Sequence, residues 1–81
     1  MKNYVLRRAE IRDYDAVSAI RQSTIGGEYF ERTFHEERVN SHYYFAVLEI
    51  DHTLVGYAIM EFTPPDAALT EIAVLPQKQR K

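Results

Sequence analysis

Hydrophobic residues recur along the chain with two periods, and each period predicts a different kind of element. Four short runs rich in β-branched and aromatic residues predict strands at positions 4–8, 43–50, 54–62 and 67–75. Two stretches with apolar residues three or four positions apart predict helices, from about 12 to 23 and from 28 to 40 or 41. The predicted order of elements is therefore β-α-α-β-β-β.

Turn-forming residues separate these elements. Gly26-Gly27 ends the first predicted helix, and the polar break at positions 51–53 predicts a hairpin between the second and third strands. Two prolines within positions 63–66 end the third strand, because proline has no N–H group to donate to a β-ladder. The breaks therefore agree with the hydrophobic periods.

The second predicted helix rests on two pairs of side chains. Phe30 and Phe34 have the i,i+4 spacing of neighbours on one helical face. Glu28 and Arg32 have the same spacing and opposite charges, which stabilises a helix by a few tenths of a kcal/mol, roughly. Both pairs predict that the helix begins at Glu28.

The run YYFAVLEI at positions 43–50 is apolar on both faces of the predicted strand. This pattern is typical of a strand that is covered on both sides. Two short helices adjacent in sequence most simply cover one side of a sheet. We therefore expect the other side to be covered by a missing half of the protein or by another subunit.

Composition restricts the class of protein. Eighty-one residues form at most one small domain. A net charge of −2 argues against a general nucleic-acid-binding protein, and the lack of cysteine excludes disulfides, thiolate metal sites and cysteine nucleophiles. No apolar run approaches the roughly 20 residues that span a bilayer. We expect a soluble cytoplasmic protein that binds neither nucleic acid nor membrane.

The histidines do not predict a metal site. His35-Glu36 begins a pattern similar to His-Glu-x-x-His, but position 39, where the second histidine is required, is Val39. His42 and His52 are scattered, and no cysteine accompanies them. We therefore predict no metal.

The chain ends in Val74-x-Pro76-x-x-Gln79-Arg80-Lys81, which follows an apolar strand. This ending resembles the start of the acetyl-CoA site in the GNAT superfamily of N-acetyltransferases. In that family a glycine loop and a helix follow, and their N–H groups hold the cofactor pyrophosphate. Here the sequence stops before those glycines.

Upstream motifs extend the resemblance to the whole chain. Arg8-Ala9-x-x-x-Asp13 is similar to the family's opening, and Val55-Gly56-Tyr57 is similar to the start of its third strand. The resemblance implies an α/β, α+β-layered GNAT-like fold with a mostly antiparallel sheet. It implies that residues 1–81 form a single partial domain, the N-terminal half, truncated at the start of the pyrophosphate-binding loop.

The resemblance also implies roles for ten residues. The catalytic base would be Glu71, acetyl-CoA would contact Ile72, Ala73, Val74, Gln79, Arg80 and Lys81, and the amine substrate would contact Glu28, Tyr29 and Phe30. Each assignment has a structural alternative. The glutamate could face solvent or pair with a basic residue, the strand residues could be core, and the aromatic residues could cap and pack a helix.

The function that the resemblance implies is transfer of an acetyl group from acetyl-CoA to a primary amine, on a small molecule or a protein. The chain alone, without the glycine loop and the following helix, would be inactive. One alternative is a non-catalytic, truncated module that pairs its open sheet with a second copy. Another is a ligand-binding or regulatory domain that uses the Gly26-Gly27 loop.

Overall fold

A computed structural model describes residues 3–75 of the 81-residue chain. Its elements are β1 (Tyr4–Arg8), a short 3-10 helix (Ile11–Asp13), α1 (Tyr14–Thr24), α2 (Glu31–Val39), β2 (Tyr43–Ile50), β3 (Thr53–Thr63) and β4 (Asp66–Val74). The four strands form one antiparallel sheet in the order β1-β2-β3-β4. The predicted element order and the layered α+β fold are confirmed.

The second helix begins later than predicted. Phe30 has an extended backbone (φ −82°, ψ 143°), and α2 starts at the next residue. Phe34 is fully buried whereas Phe30 is 61% exposed, so the predicted i,i+4 pair is wrong. The predicted pair of Glu28 with Arg32 is also wrong, because Glu28 lies before the helix and Arg32 Nε contacts Glu36 instead, at 3.3 Å.

The physical reason for the later start lies in the α1–α2 loop (residues 25–30). Gly26 and Gly27 turn the chain with φ values of +89° and +83°, which only glycine adopts readily. Tyr29 then enters the core, and its carbonyl accepts a hydrogen bond from the Tyr14 hydroxyl at 2.5 Å. This contact holds the chain extended up to Phe30, so the helix begins beyond it.

A partly buried network of one arginine and two carboxylates fixes the start of α1 against the sheet. Arg7 on β1 donates to Asp13 at 2.8 and 3.0 Å and to Glu49 on β2 at 2.7 Å. Asp13 also accepts a 2.7 Å hydrogen bond from the Glu10 N–H, which caps the helical segment. Burial alone would raise the pKa of Asp13, but these hydrogen bonds hold it below its usual value.

Both helices pack on one face of the sheet, and the core lies between them. α1 contacts β3 and β4, and α2 contacts β2. The core comprises Ala9, Val17, Ile20, Tyr29, Phe34, Phe45, Val47, Tyr57, Ile59 and Ala73. Phe34 lies near its centre, with ring centroids 5.6 Å from Tyr14 and 5.2 Å from Phe45.

The opposite side of the sheet, here called the outer face, carries Tyr4, Leu6, Leu48, Ala58, Leu69 and Ile72. Leu6 is 71% exposed and Ile72 is 59% exposed. Neither helix contributes to this face, since both pack on the other side. The expectation that the two helices cover only one side of the sheet is confirmed.

Candidate functional site

Glu71 lies on the helix-facing side of β4, opposite Ile59 of β3. Its carboxylate oxygen Oε2 is 3.0 Å from Arg21 Nε on α1 and also accepts a hydrogen bond from the Tyr57 hydroxyl. The Glu71 side chain is 23% exposed and the Arg21 side chain is 22% exposed. The sequence left open a pairing with a basic residue, and the structure contains that pairing. A role as catalytic base stays a prediction.

A β-bulge adjoins Glu71. Ile59 pairs with Glu71 and Met60 pairs with Leu69, so Thr70 is an extra residue in β4. The Thr70 hydroxyl donates to the Ile59 carbonyl at 2.9 Å and holds the bulge against β3. Bulges change the direction of neighbouring side chains and are frequent beside active sites. The apolar pattern of β4 does not predict this bulge.

The three strand residues predicted to contact acetyl-CoA point in alternate directions. Ala73 belongs to the core, Ile72 lies on the outer face, and Val74 lines a groove on that face. Among residues 3–75, β4 pairs with β3 alone and forms an edge of the sheet. A main-chain contact with an extended ligand is geometrically compatible with an edge strand. Gln79, Arg80 and Lys81 lie outside the described residues.

The three residues predicted to contact the amine lie in the α1–α2 loop and have different environments. Glu28 and Phe30 are exposed, whereas Tyr29 is buried in the core. The Tyr29 hydroxyl donates to Glu37 on α2 at 2.6 Å. Tyr29 is therefore a core aromatic, and contact of Glu28, Tyr29 and Phe30 with a substrate stays a prediction.

Arg21 connects this loop to Glu71. Besides its ion pair with Glu71, it donates through Nη1 to the Glu28 carbonyl at 3.3 Å, and its guanidinium carbon lies 5.0 Å from the Tyr29 ring centroid. The sequence predicted roles for Glu71 and for residues 28–30 separately. Arg21, for which it predicted no role, brings the two together. One signal was available: Arg21 follows Val17 by four positions and therefore extends the buried stripe of α1.

Burial and hydrogen bonds together shift the pKa of the groups around Arg21. Burial and the hydrogen bond to Glu71 raise the pKa of Tyr57, and burial and the hydrogen bond to Glu37 raise the pKa of Tyr29. Both hydroxyls therefore stay protonated at neutral pH and act as donors. Burial also raises the pKa of Glu37, while the hydrogen bond that Arg21 donates to Glu71 raises the pKa of Arg21 and keeps it cationic.

A shallow groove of about 110 Å³ crosses the outer face, lined by Leu6, Leu48, Gly56, Tyr57, Ala58, Ile72 and Val74. Gly56 is required there because an added Cβ would lie 2.9 Å from the Ala73 carbonyl oxygen. The groove is thus built from the close approach of β3 and β4, and its lining offers apolar surface.

No group of three or more histidine, aspartate or glutamate side chains among residues 3–75 could hold a metal ion. Within the same residues, no helix is both long enough and apolar enough to cross a membrane.

Comparison with solved structures identifies the fold. The ribosomal-protein-S18-alanine N-acetyltransferase from Escherichia coli matches with a TM-score of 0.79 and 26% sequence identity, over 96% of this chain and 50% of that one. The chain has the fold of the N-terminal half of a GNAT N-acetyltransferase. Neither a protein-family model nor a curated protein matches it. This GNAT half-fold spans about half the length of the solved structure.

Proposed function

We propose that this chain forms part of an acetyl-CoA-dependent N-acetyltransferase that acetylates a primary amine in the cytoplasm. The observation that supports the proposal is the similarity of 96% of the chain to a solved N-acetyltransferase, with a TM-score of 0.79. Because the chain covers 50% of that structure, we propose the activity for an assembly that contains further polypeptide. The 81 residues alone are expected to be inactive.

In this proposal Glu71 accepts the proton that the substrate ammonium must lose before its nitrogen can attack. The nitrogen then forms a bond to the acetyl carbon, and the carbon–sulfur bond breaks to release the CoA thiolate. The main-chain N–H groups of β4 polarise the acetyl carbonyl and hold the pantetheine arm. These contacts are assigned to Ile72, Ala73 and Val74, and the contacts with the pyrophosphate to Gln79, Arg80 and Lys81.

The described residues are compatible with acetyl-CoA as co-substrate. The pantetheine arm is an extended chain with amide groups, and such chains bind along sheet edges through main-chain hydrogen bonds. β4 provides an edge with respect to β1, β2 and β3, and the bulge at Thr70 adjoins Glu71. The base, the bulge and the proposed carbonyl contacts therefore lie within one stretch of a few residues.

The α1–α2 loop supplies the proposed surface for the amine. The exposed Glu28 carboxylate attracts an ammonium group, and the exposed Phe30 ring packs against an apolar part of the substrate. Tyr29 holds the loop in place from the core. This arrangement suits a cation with an adjoining apolar segment.

The outer face supports the need for further polypeptide. Its exposed leucine and isoleucine side chains, at Leu6 and Ile72, would remain in water if residues 3–75 folded alone. An exposed apolar patch of this kind marks an interaction surface. We propose that the remaining part of the acetyltransferase covers it.

The first experiment is native mass spectrometry of the chain, with and without acetyl-CoA, followed by an assay of thiol release with several amines. One amine is a peptide with an N-terminal alanine, because the solved neighbour acts on an alanine. A complex that contains a second polypeptide, gains the mass of the cofactor and releases thiol supports the proposal. Glu71→Gln should then bind acetyl-CoA normally and lower kcat by about 10²-fold or more.

A second candidate function is a non-catalytic module that self-associates, and the outer face favours it as well. In that case the same native spectra show a homodimer that gains no mass with acetyl-CoA. Leu6→Lys should then dissociate the dimer in sedimentation experiments, because it places a charge on the outer face. Val39→Lys is the matched control, since Val39 is 60% exposed but lies on α2, and it should leave the dimer intact.

A further inference from the structure

We propose that Arg21 is a positioning residue that couples Glu71 to the α1–α2 loop, so that the base and the amine surface keep one relative geometry. The inference rests on the proposed function for its chemical meaning. The coupling itself is a physical property of the described residues, and it can be measured without any acetyl transfer.

The side chain of Arg21 contacts both regions at once. Its Nε lies 3.0 Å from Glu71 Oε2, and its Nη1 lies 3.3 Å from the Glu28 carbonyl oxygen. The guanidinium also covers the Tyr29 ring at 5.0 Å. A planar guanidinium with several fixed donors can bind two acceptors and stack on a ring together, which a lysine ammonium cannot do.

The main chain of Arg21 organises the same loop. The Arg21 carbonyl accepts hydrogen bonds from Ile25 and Gly26, each at 2.8 Å, and these bonds close the end of α1. The cationic side chain lies in the last turn of the helix, where the helix dipole favours positive charge. The main chain of Arg21 therefore fixes where the loop leaves α1, and its side chain fixes the position of the loop relative to β4.

The ion pair between Arg21 and Glu71 is partly buried, and this makes it strong enough to transmit a displacement of one residue to the other. Both side chains are less than one quarter exposed, so water screens the pair less than it screens a surface ion pair. The Tyr57 hydroxyl, which is protonated, donates to the same Glu71 oxygen and also holds it in place. A displacement of Glu71 must therefore displace Arg21, and through it Glu28 and Tyr29.

The two ends of this connection belong to separate elements. Arg21 and Glu71 are 50 positions apart in sequence, and their ion pair joins α1 to β4. Loss of the guanidinium would leave the bulged part of β4 and the loop to move independently. We expect the loss to lower kcat more than it raises KM, because both the base and the substrate surface stay present but lose their alignment.

The test is a coupling cycle read by amide hydrogen exchange of Ile25 and Gly26 in the full 81-residue chain. Glu71→Gln should speed their exchange about fivefold or more in the unmodified chain and much less in the Arg21→Met background. Equal effects in both backgrounds would overturn the proposal. Glu36→Gln is the control: it removes the exposed carboxylate that pairs with Arg32 on α2, leaves the contacts of Arg21 with Glu71 and Glu28 in place, and should act equally in both backgrounds.

A second variant, Arg21→Lys, distinguishes the effect of the guanidinium geometry from the effect of its charge. It also controls for a failure of Arg21→Met to fold. Arg21→Lys keeps the cation but cannot contact Glu71 and Glu28 together, so it should weaken the coupling as strongly as Arg21→Met. Full coupling in Arg21→Lys would show that charge alone is sufficient and would contradict the proposed role. In an active assembly, both variants should lower kcat by about tenfold or more. Absence of transfer in the unmodified protein would refute the proposed function and leave the exchange result valid.

Discussion

Phe34 and Phe30 are four positions apart in sequence, and one is fully buried while the other is 61% exposed. The difference arises because α2 begins between them. Phe34 contacts the rings of Tyr14, Tyr29 and Phe45 and fills the space between α2 and the sheet. The two phenylalanines therefore form a matched pair for separating core packing from surface contact.

We predict that Phe34→Ala lowers the free energy of unfolding by about 3–5 kcal/mol, because it leaves a cavity among three rings. Phe30→Ala should change it by less than about 0.5 kcal/mol, since its side chain makes no cap hydrogen bond and lies mostly in water. Urea denaturation followed by circular dichroism measures both. If Phe34→Ala does not fold, Phe34→Leu should still fold and lose a smaller amount.

Asp13 gives a prediction for acid conditions. Its folded-state pKa is depressed, so its contribution to stability is present above the unfolded-state pKa of about 4 and is lost as pH falls through the folded value. Asp13→Asn should therefore be less stable at pH 7 by about 1–3 kcal/mol and should lose less stability on acidification than the unmodified chain.

The control for Asp13 is Asp15→Asn, which removes an exposed carboxylate from the same end of α1. It should change stability by less than about 0.5 kcal/mol and keep the unmodified pH dependence. Thermal unfolding between pH 3 and 7 compares the three proteins. Parallel curves for all of them would show that Asp13 is not the group that titrates.

At the scale of elements, the sequence predicted the strands well because each is a compact apolar run bounded by glycine, proline or short polar breaks. The start of α2 was wrong because side-chain spacing alone cannot show that Tyr29 enters the core and keeps the preceding chain extended. The bulge at Thr70 was missed because a single extra residue leaves the apolar pattern of β4 almost unchanged.

The sequence predicted only part of the candidate site. Glu71 and residues 28–30 were nominated by resemblance, because short motifs mark their places along the chain. Arg21 was not nominated, since its partner is 50 positions away and only the folded chain brings them together. Sequence patterns indicate which side a residue faces, whereas the identity of its distant partner depends on the packing of whole elements.

The β2–β3 hairpin gives a prediction at this scale. Its two turn residues, Asp51 and His52, have φ values of +53° and +71°, as a type I′ turn requires. Asp51 is held by hydrogen bonds with Asn3, whereas histidine tolerates this conformation less well than glycine. His52→Gly should therefore raise the free energy of unfolding by about 1 kcal/mol.

Asp51→Gly is the informative comparison for this hairpin. It relieves backbone strain at the neighbouring position but removes the carboxylate that accepts from the Asn3 N–H at 2.9 Å. Asp51→Gly should therefore raise the free energy of unfolding by less than His52→Gly does, or should lower it. Denaturant midpoints rank the two variants, and the opposite order would show that the Asn3 contact contributes little.

At the scale of the whole molecule, the sheet follows chain order but its pairings differ greatly in range. The β2–β3 hairpin is closed by two residues, and β4 follows β3 after another short turn. By contrast, the pairing of β1 with β2 joins Arg8 to Ala46 across both helices. The sheet therefore consists of a local three-stranded meander and one strand that arrives from far away in sequence.

This contrast sets an order of assembly. Closing a long loop costs more chain entropy than closing a tight turn, so the meander can form before β1 pairs with β2. The same strand lies at a sheet edge and should be the first to detach in the native state. Amides of β1 that bond β2 should exchange with solvent faster than those between β2 and β3. The Arg7 contacts with Asp13 and Glu49 are therefore the last to form during folding and the first to break in local unfolding.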